Sequence, residues 1–161
     1  MEFPWGDSAG LGGHGRPIGD VRKLLEGVDA VLTVHPSFSP GLPAHQIVSN
    51  CLDADAFTAT APDPVDARRH LALSPADRVY LYLGRLSFEK GADAIGVIQA
   101  TLEKESAAAR LVVAGRGNFA PGVEAMEDVR YLGQRNDPET LLAIADVLIM
   151  PSRQEGIPMV A

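Results

Sequence analysis

Arg85, Lys90 and Glu155 are the side chains whose types and spacing suit ligand chemistry. Arg85 and Lys90 lie in the run GRLSFEKG, residues 84–91. An arginine offers a planar fork that grips two oxygens of one oxyanion, and a lysine adds a mobile point charge; together they suit a diphosphate. Glu155 would repel such a group, but its carboxylate can accept hydrogen bonds from sugar hydroxyls. Gly156 lets a ligand approach the backbone closely, and the N–H groups after it can hold an anion at a helix start. Cations for a leaving diphosphate beside a carboxylate for a hydroxylated group fit a nucleotide-sugar donor. Each charge-assisted hydrogen bond there is worth roughly 1.5–3 kcal/mol.

These side chains need strand ends to hold them. From Val79 the sequence alternates regularly. Strands are predicted at Val79–Leu83, Leu111–Ala114, Val129–Leu132 and Val147–Met150, with helices from about Ala92 to Lys104 and, after Asp137-Pro138 as its cap, to about Ile144. Near-continuous apolar strands alternating with helices predict an α/β, Rossmann-like parallel sheet covered by helices on both faces. In the common doubly wound order 3-2-1-4 the first and fourth of these strands are neighbours, and ligands sit outside their carboxyl ends. The first strand delivers Arg85 and Lys90; the fourth delivers Ser152, Arg153, Glu155 and Gly156. The two loops are therefore expected to face each other across one crevice.

Ahead of Val79 the pattern is looser. Residues 1–18 are rich in glycine and proline and read as loop; Asp20 caps a short helix, Ala30–Val34 is a strand and Pro36–Pro43 a linker. Gln46–Ser49 reads as a short strand, and Asp63-Pro64 as the start of a helix to about Leu71.

Composition excludes several classes. The 161 residues suffice for one domain, or one and a piece of another. A formal net charge of −7 argues against nucleic acid or an anionic membrane held on a basic face. Cys51 is the one cysteine, so no intrachain disulfide forms, in keeping with a reducing cytoplasm. No apolar run approaches a membrane span. Residues 10–15 fit G-x-G-x-x-G but follow no strand, so they lack the context of a dinucleotide loop. Asp53-Ala54-Asp55 has metal-site spacing but lies outside the crevice, and the four histidines form no metal set with Cys51. Arg116 and Arg153 read as surface residues, Gly115 and Gly117 as turn formers.

GRLSFEKG, LVVAGRGN, VRYLGQRND and ADVLIMPSRQEGIPMVA, with IVSNCLDADAF before them, resemble the C-terminal donor domain of retaining glycosyltransferases of the two-Rossmann-domain GT-B fold. The resemblance covers about Val31 to Ala161. It implies that Arg85 and Lys90 bind the donor diphosphate. Glu155 would hold the donor sugar, the backbone of Gly156, Ile157 and Pro158 would contact sugar and phosphate, and Leu132 to Arg135 would lie near the nucleobase. Catalysis would rest on Arg85, Lys90 and Glu155, with no metal and no cofactor, because the two cations replace a metal.

The resemblance also carries departures. The second glutamate of the family's E-x7-E motif would fall two residues past Ala161, Cys51 replaces a usual glycine, and His35 replaces a small hydroxyl residue. These imply a fragment: residues 1–40 as a remnant of the N-terminal acceptor domain with its linker, and 41–161 as a truncated donor domain. The expected reaction is transfer of a hexose from a nucleoside-diphosphate sugar to an unknown acceptor hydroxyl with retention, needing the missing N-terminal domain. Two alternatives stay open at this stage, a non-catalytic nucleotide-binding module and a nucleotide-sugar epimerase on the same fold.

Overall fold

Apolar alternation along β3 (Arg78–Leu83) sets the architecture of the computed structural model, which describes residues 31–33, 45–48 and 51–153. Val79 and Leu81 point to one face and Tyr82 to the other, and all three are buried. β4 (Ala109–Ala114) lies beside β3 in parallel, with Arg78 opposite Ala109 and Leu83 opposite Ala114. β5 (Val129–Tyr131) pairs with β4, and β6 (Val147–Leu148) with β3. The order is β5-β4-β3-β6, all parallel, which is the doubly wound order expected from the sequence.

The alternation divides the core between the two faces. Val79, Leu81, Val112 and Ala114 pack with Leu141 and Ile144 of α5 (Pro138–Ile144) and Ala67 of α2 (Pro64–His70). On the other face Tyr82, Leu111 and Val113 pack with Ile95 and Leu102 of α3 (Ile95–Glu105) and Val123 of α4 (Ala120–Glu124). Each fully buried Val, Leu or Ile contributes about 1.5–3 kcal/mol, so burial on both faces holds the sheet.

The structure corrects four local readings. α1 (Ala54–Ala59) occupies a stretch for which the sequence predicted no element; the Asp53 carboxylate caps it by accepting from the Ala56 N–H at 2.9 Å. The helix expected from Ala92 begins with a tighter 3₁₀ turn at Ala92–Ala94. Asp137 starts α5 but does not cap it with its side chain, which is committed to Arg135. β6 is shorter than the strand expected to Met150, although the Ile149 N–H still donates to the Leu81 carbonyl at 2.8 Å.

The chain divides into two compact units, Met1–Cys51 and Leu52–Ala161. In the first, β1 (Val31–Thr33) and β2 (His45–Ile47) pair in parallel, the latter one residue earlier than expected. The helix expected after Asp20, the glycine-rich run at 10–15, and Glu155, Gly156, Ile157 and Pro158 lie outside the described residues. Among the described residues no helix is long and apolar enough to cross a membrane.

Candidate functional site

The carboxyl ends of β3, β4 and β5 each run into a glycine, and these three close against one another. The Gly84 N–H donates to the Ala114 carbonyl at 3.0 Å, and the Gly115 N–H to the Gly133 carbonyl at 2.7 Å. At Gly115 a Cβ would strike the Gly84 carbonyl. The loop after β3 therefore starts from a fixed platform.

That loop holds Arg85 and Lys90 by their backbones. Leu86 is buried and donates its N–H to the Arg116 carbonyl at 2.9 Å. From below, the Tyr82 hydroxyl donates to the Arg85 carbonyl at 2.8 Å and lies 3.1 Å from the Lys90 carbonyl. One buried phenol thus gathers the two residues expected to bind a diphosphate. In the sequence Tyr82 falls only within the strand predicted at Val79–Leu83; alternation along β3 signals its burial, and nothing in that pattern signals the loop curling back over the hydroxyl.

The segment after β6 reaches the same loop. Arg153 donates its N–H to the Glu89 carbonyl at 2.9 Å and its Nη1 to the Phe88 carbonyl at 2.8 Å. Its guanidinium also grips Asp93. The loops expected to face each other do meet, through a residue read from sequence as surface.

Between these loops and α5 lies a cleft of about 470 Å³, floored by Tyr82, Leu83, Leu142 and Ile149 and bordered by Lys90 and Arg135. A hollow of about 250 Å³ adjoins it, lined by Arg85, Arg116, Gln134 and Arg135. Leu83, Gly84 and Arg135 line both. In a chain of net charge −7 this concentrates four basic side chains around one crevice, the local field an anionic ligand needs. Arg135 is already matched: it binds Asp137 in bidentate fashion at 2.8 and 2.6 Å. That hydrogen bonding raises its pKa and holds the Asp137 carboxyl below its ordinary range, so both stay charged. Of the two residues expected near a nucleobase, Arg135 lines both hollows and Leu132 lines neither; Leu132 packs against the core beneath α2 and α5.

A larger hollow, about 700 Å³, starts at the opposite ends of β4 and β5 and follows the free edge of β5. Asp77, Glu103, Glu127 and Asp128 stand there with Arg110 and Arg130. Carboxylates outnumber cations, which disfavours a diphosphate. Among the described residues no cluster of three or more His, Cys, Asp or Glu is arranged to hold a metal ion.

The model of the family described as glycosyl transferases group 1 matches residues 77–161, more than half of the chain. The chain belongs to the group 1 glycosyltransferases. Solved structures of GT-B glycosyltransferases share its fold. HepE from Anabaena, in complex with UDP and glucose, superposes with a TM-score of 0.68 at 17% identity, over 86% of this chain and 42% of that one. WaaG, a glycosyltransferase involved in lipopolysaccharide biosynthesis, gives 0.63 at 20% identity, over 78% and 38%. Sucrose-phosphate synthase from Thermosynechococcus elongatus gives 0.67 at 19%, over 88% and 39%. This group 1 chain therefore spans about two fifths of the length of those proteins. No curated protein sequence matches it.

Proposed function

We propose that this chain binds a nucleoside-diphosphate sugar and supplies the donor half of a retaining glycosyltransferase, which moves a hexose to an acceptor hydroxyl. The observation that carries the reading is the crevice at the carboxyl ends of β3 and β6, with Arg85 and Lys90 presented on one loop whose backbone Tyr82 gathers. HepE, whose fold this chain shares, forms complexes with UDP and with UDP-glucose, which supports a uridine donor as the first to try.

In this reading the diphosphate lies where the cleft meets the adjoining hollow, between Lys90 of the first and Arg85 of the second, and the hollow at Gln134 and Arg135 takes the nucleoside. Glu155 accepts hydrogen bonds from the donor sugar, and the backbone of Gly156, Ile157 and Pro158 contacts sugar and phosphate. As the glycosidic bond to the diphosphate breaks, negative charge grows on the leaving phosphate. Two cations carried on one loop stabilise that charge and take the place of a metal ion. The acceptor hydroxyl attacks on the face the phosphate leaves, and a phosphate oxygen takes its proton. An acceptor domain completes the enzyme, and residues 41–161 serve as the donor domain. A cytoplasmic setting suits this, since Cys51 is a free, exposed thiol.

Calorimetric titration of the chain with UDP, GDP and ADP and their hexose conjugates tests the reading. At least one nucleotide should bind, and Arg85→Ala should weaken it by roughly ten- to a hundredfold, the equivalent of one charge-assisted hydrogen bond. Equal binding by wild type and Arg85→Ala would remove the site assignment; no binding by any conjugate would remove the donor reading. Product analysis with the acceptor domain supplied separates transfer from epimerisation.

A further inference from the structure

Arg153 engages the loop after β3 with its backbone, its charge and the face of its guanidinium. Nη1 and Nη2 donate to the two Asp93 carboxylate oxygens, each at 2.7 Å. The guanidinium lies over the Phe88 ring, 4.0 Å from its centroid, which accounts for a large aromatic side chain left 57% exposed. Beside it the Pro151 carbonyl presses against Gly91, where φ is 70° and a Cβ would collide with that oxygen. A lone exposed ion pair contributes little. Here a fork, a cation–π stack and two bonds to backbone carbonyls converge on one residue, across 60 positions of sequence.

We propose that Arg153 is a positioning residue: it ties residues 151–153 to the loop 85–93 and so fixes the cleft between Lys90 on one side and Pro151 and Ser152 on the other. The inference rests on the donor-site reading above. In a nucleotide sugar the diphosphate and the hexose are joined covalently, so the two walls of that cleft must stand at one separation. A misplacement of about 1 Å costs on the order of a hundredfold in such arrangements. Loosening the tie should therefore remove the advantage the sugar confers and largely spare the diphosphate, whose two cations stand on one loop. The Asp93 carboxyl is kept below its ordinary range, first by its hydrogen bond with Arg153, so the tie persists at neutral pH.

The test is a double-mutant cycle of Arg153→Ala and Asp93→Ala in the 161-residue chain, read in two ways. Without ligand, amide exchange in 86–93 and 149–153 should quicken about tenfold in each single variant and no further in the double, while 109–114 keeps its protection. With ligand, the ratio of UDP-glucose to UDP affinity should fall about tenfold, and UDP affinity alone should stay within about twofold. Unchanged exchange, additive effects or equal weakening of both ligands would overturn the proposal. If the wild-type chain bound neither nucleotide, the donor reading would fall, and exchange in the two loops would still decide whether Arg153 couples them.

Discussion

Arg68–Asp146 and Arg153–Asp93 stand at opposite ends of β3 and β6, one pair before the strands and one after them. Arg68 and Asp146 meet at 2.9 Å, and the same carboxylate accepts the Val79 N–H at 2.7 Å. Arg68 also donates through Nε and Nη2 to the Ile144 carbonyl at 3.0 and 2.8 Å. Apart from a 3.4 Å bond from Arg68 Nη1 to the Asp77 carbonyl, these bonds end at the start of a strand or the end of a helix, and the arginine side chain is 16% exposed. The Arg153 side chain is more open, and its bonds end on the loop after β3 and on the short 3₁₀ turn that follows it. The chemical pair is the same; what it fastens differs. Joined to regular elements it sets the register of the sheet, and joined to loops it sets the shape of a crevice.

The comparison can be broken in order of effect. Leu81 belongs to the strand on which both ends depend and is fully buried. Leu81→Ala should cost about 2–5 kcal/mol in denaturant unfolding and take binding with it; a small loss would mean that packing beneath α2 and α5 does not hold the sheet. Gly91→Val should separate the ends. Its φ of 70° and its contact with the Pro151 carbonyl predict donor affinity lower by on the order of a hundredfold, against a stability loss of about 1–3 kcal/mol.

Asp146→Ala should do the reverse, lowering stability by about 1–2 kcal/mol, given its part exposure, with UDP affinity within about twofold. The Val79 N–H first, and then Arg68, holds the Asp146 carboxyl below its ordinary range. A depressed carboxyl stabilises the fold above its unfolded pKa and loses that contribution as pH falls through the folded value. Wild type should therefore lose stability below about pH 4 more steeply than Asp146→Ala, a difference visible in melting temperature against pH. Tyr82→Phe is the mildest change. Loss of one neutral hydrogen bond, about 0.5–1.5 kcal/mol, should weaken UDP a few-fold and leave the core packing intact.

The sequence revealed what depends on periodicity. Near-continuous apolar runs from Val79 onward showed strands covered on both faces, and strand order followed from the usual winding. Arg85 and Lys90 were legible because a strand end followed by cations is a local pattern. α1 escaped because Ala54–Ala59 carries no apolar stripe; Phe57 alone is half-buried there. Arg153 escaped because its partner lies 60 residues away, and only the folded sheet brings the two loops together. Asp137 was read as a cap because an aspartate before a proline has that signature, and the nearby Arg135 competed for its carboxylate.

The most direct test of the central claim is amide exchange with and without saturating UDP. Protection gathered at 84–91 and 133–135, and lost together with binding in Arg85→Ala, is the predicted result. Protection gathered instead at 107–110 and 127–130, beside the larger acidic hollow, would contradict it.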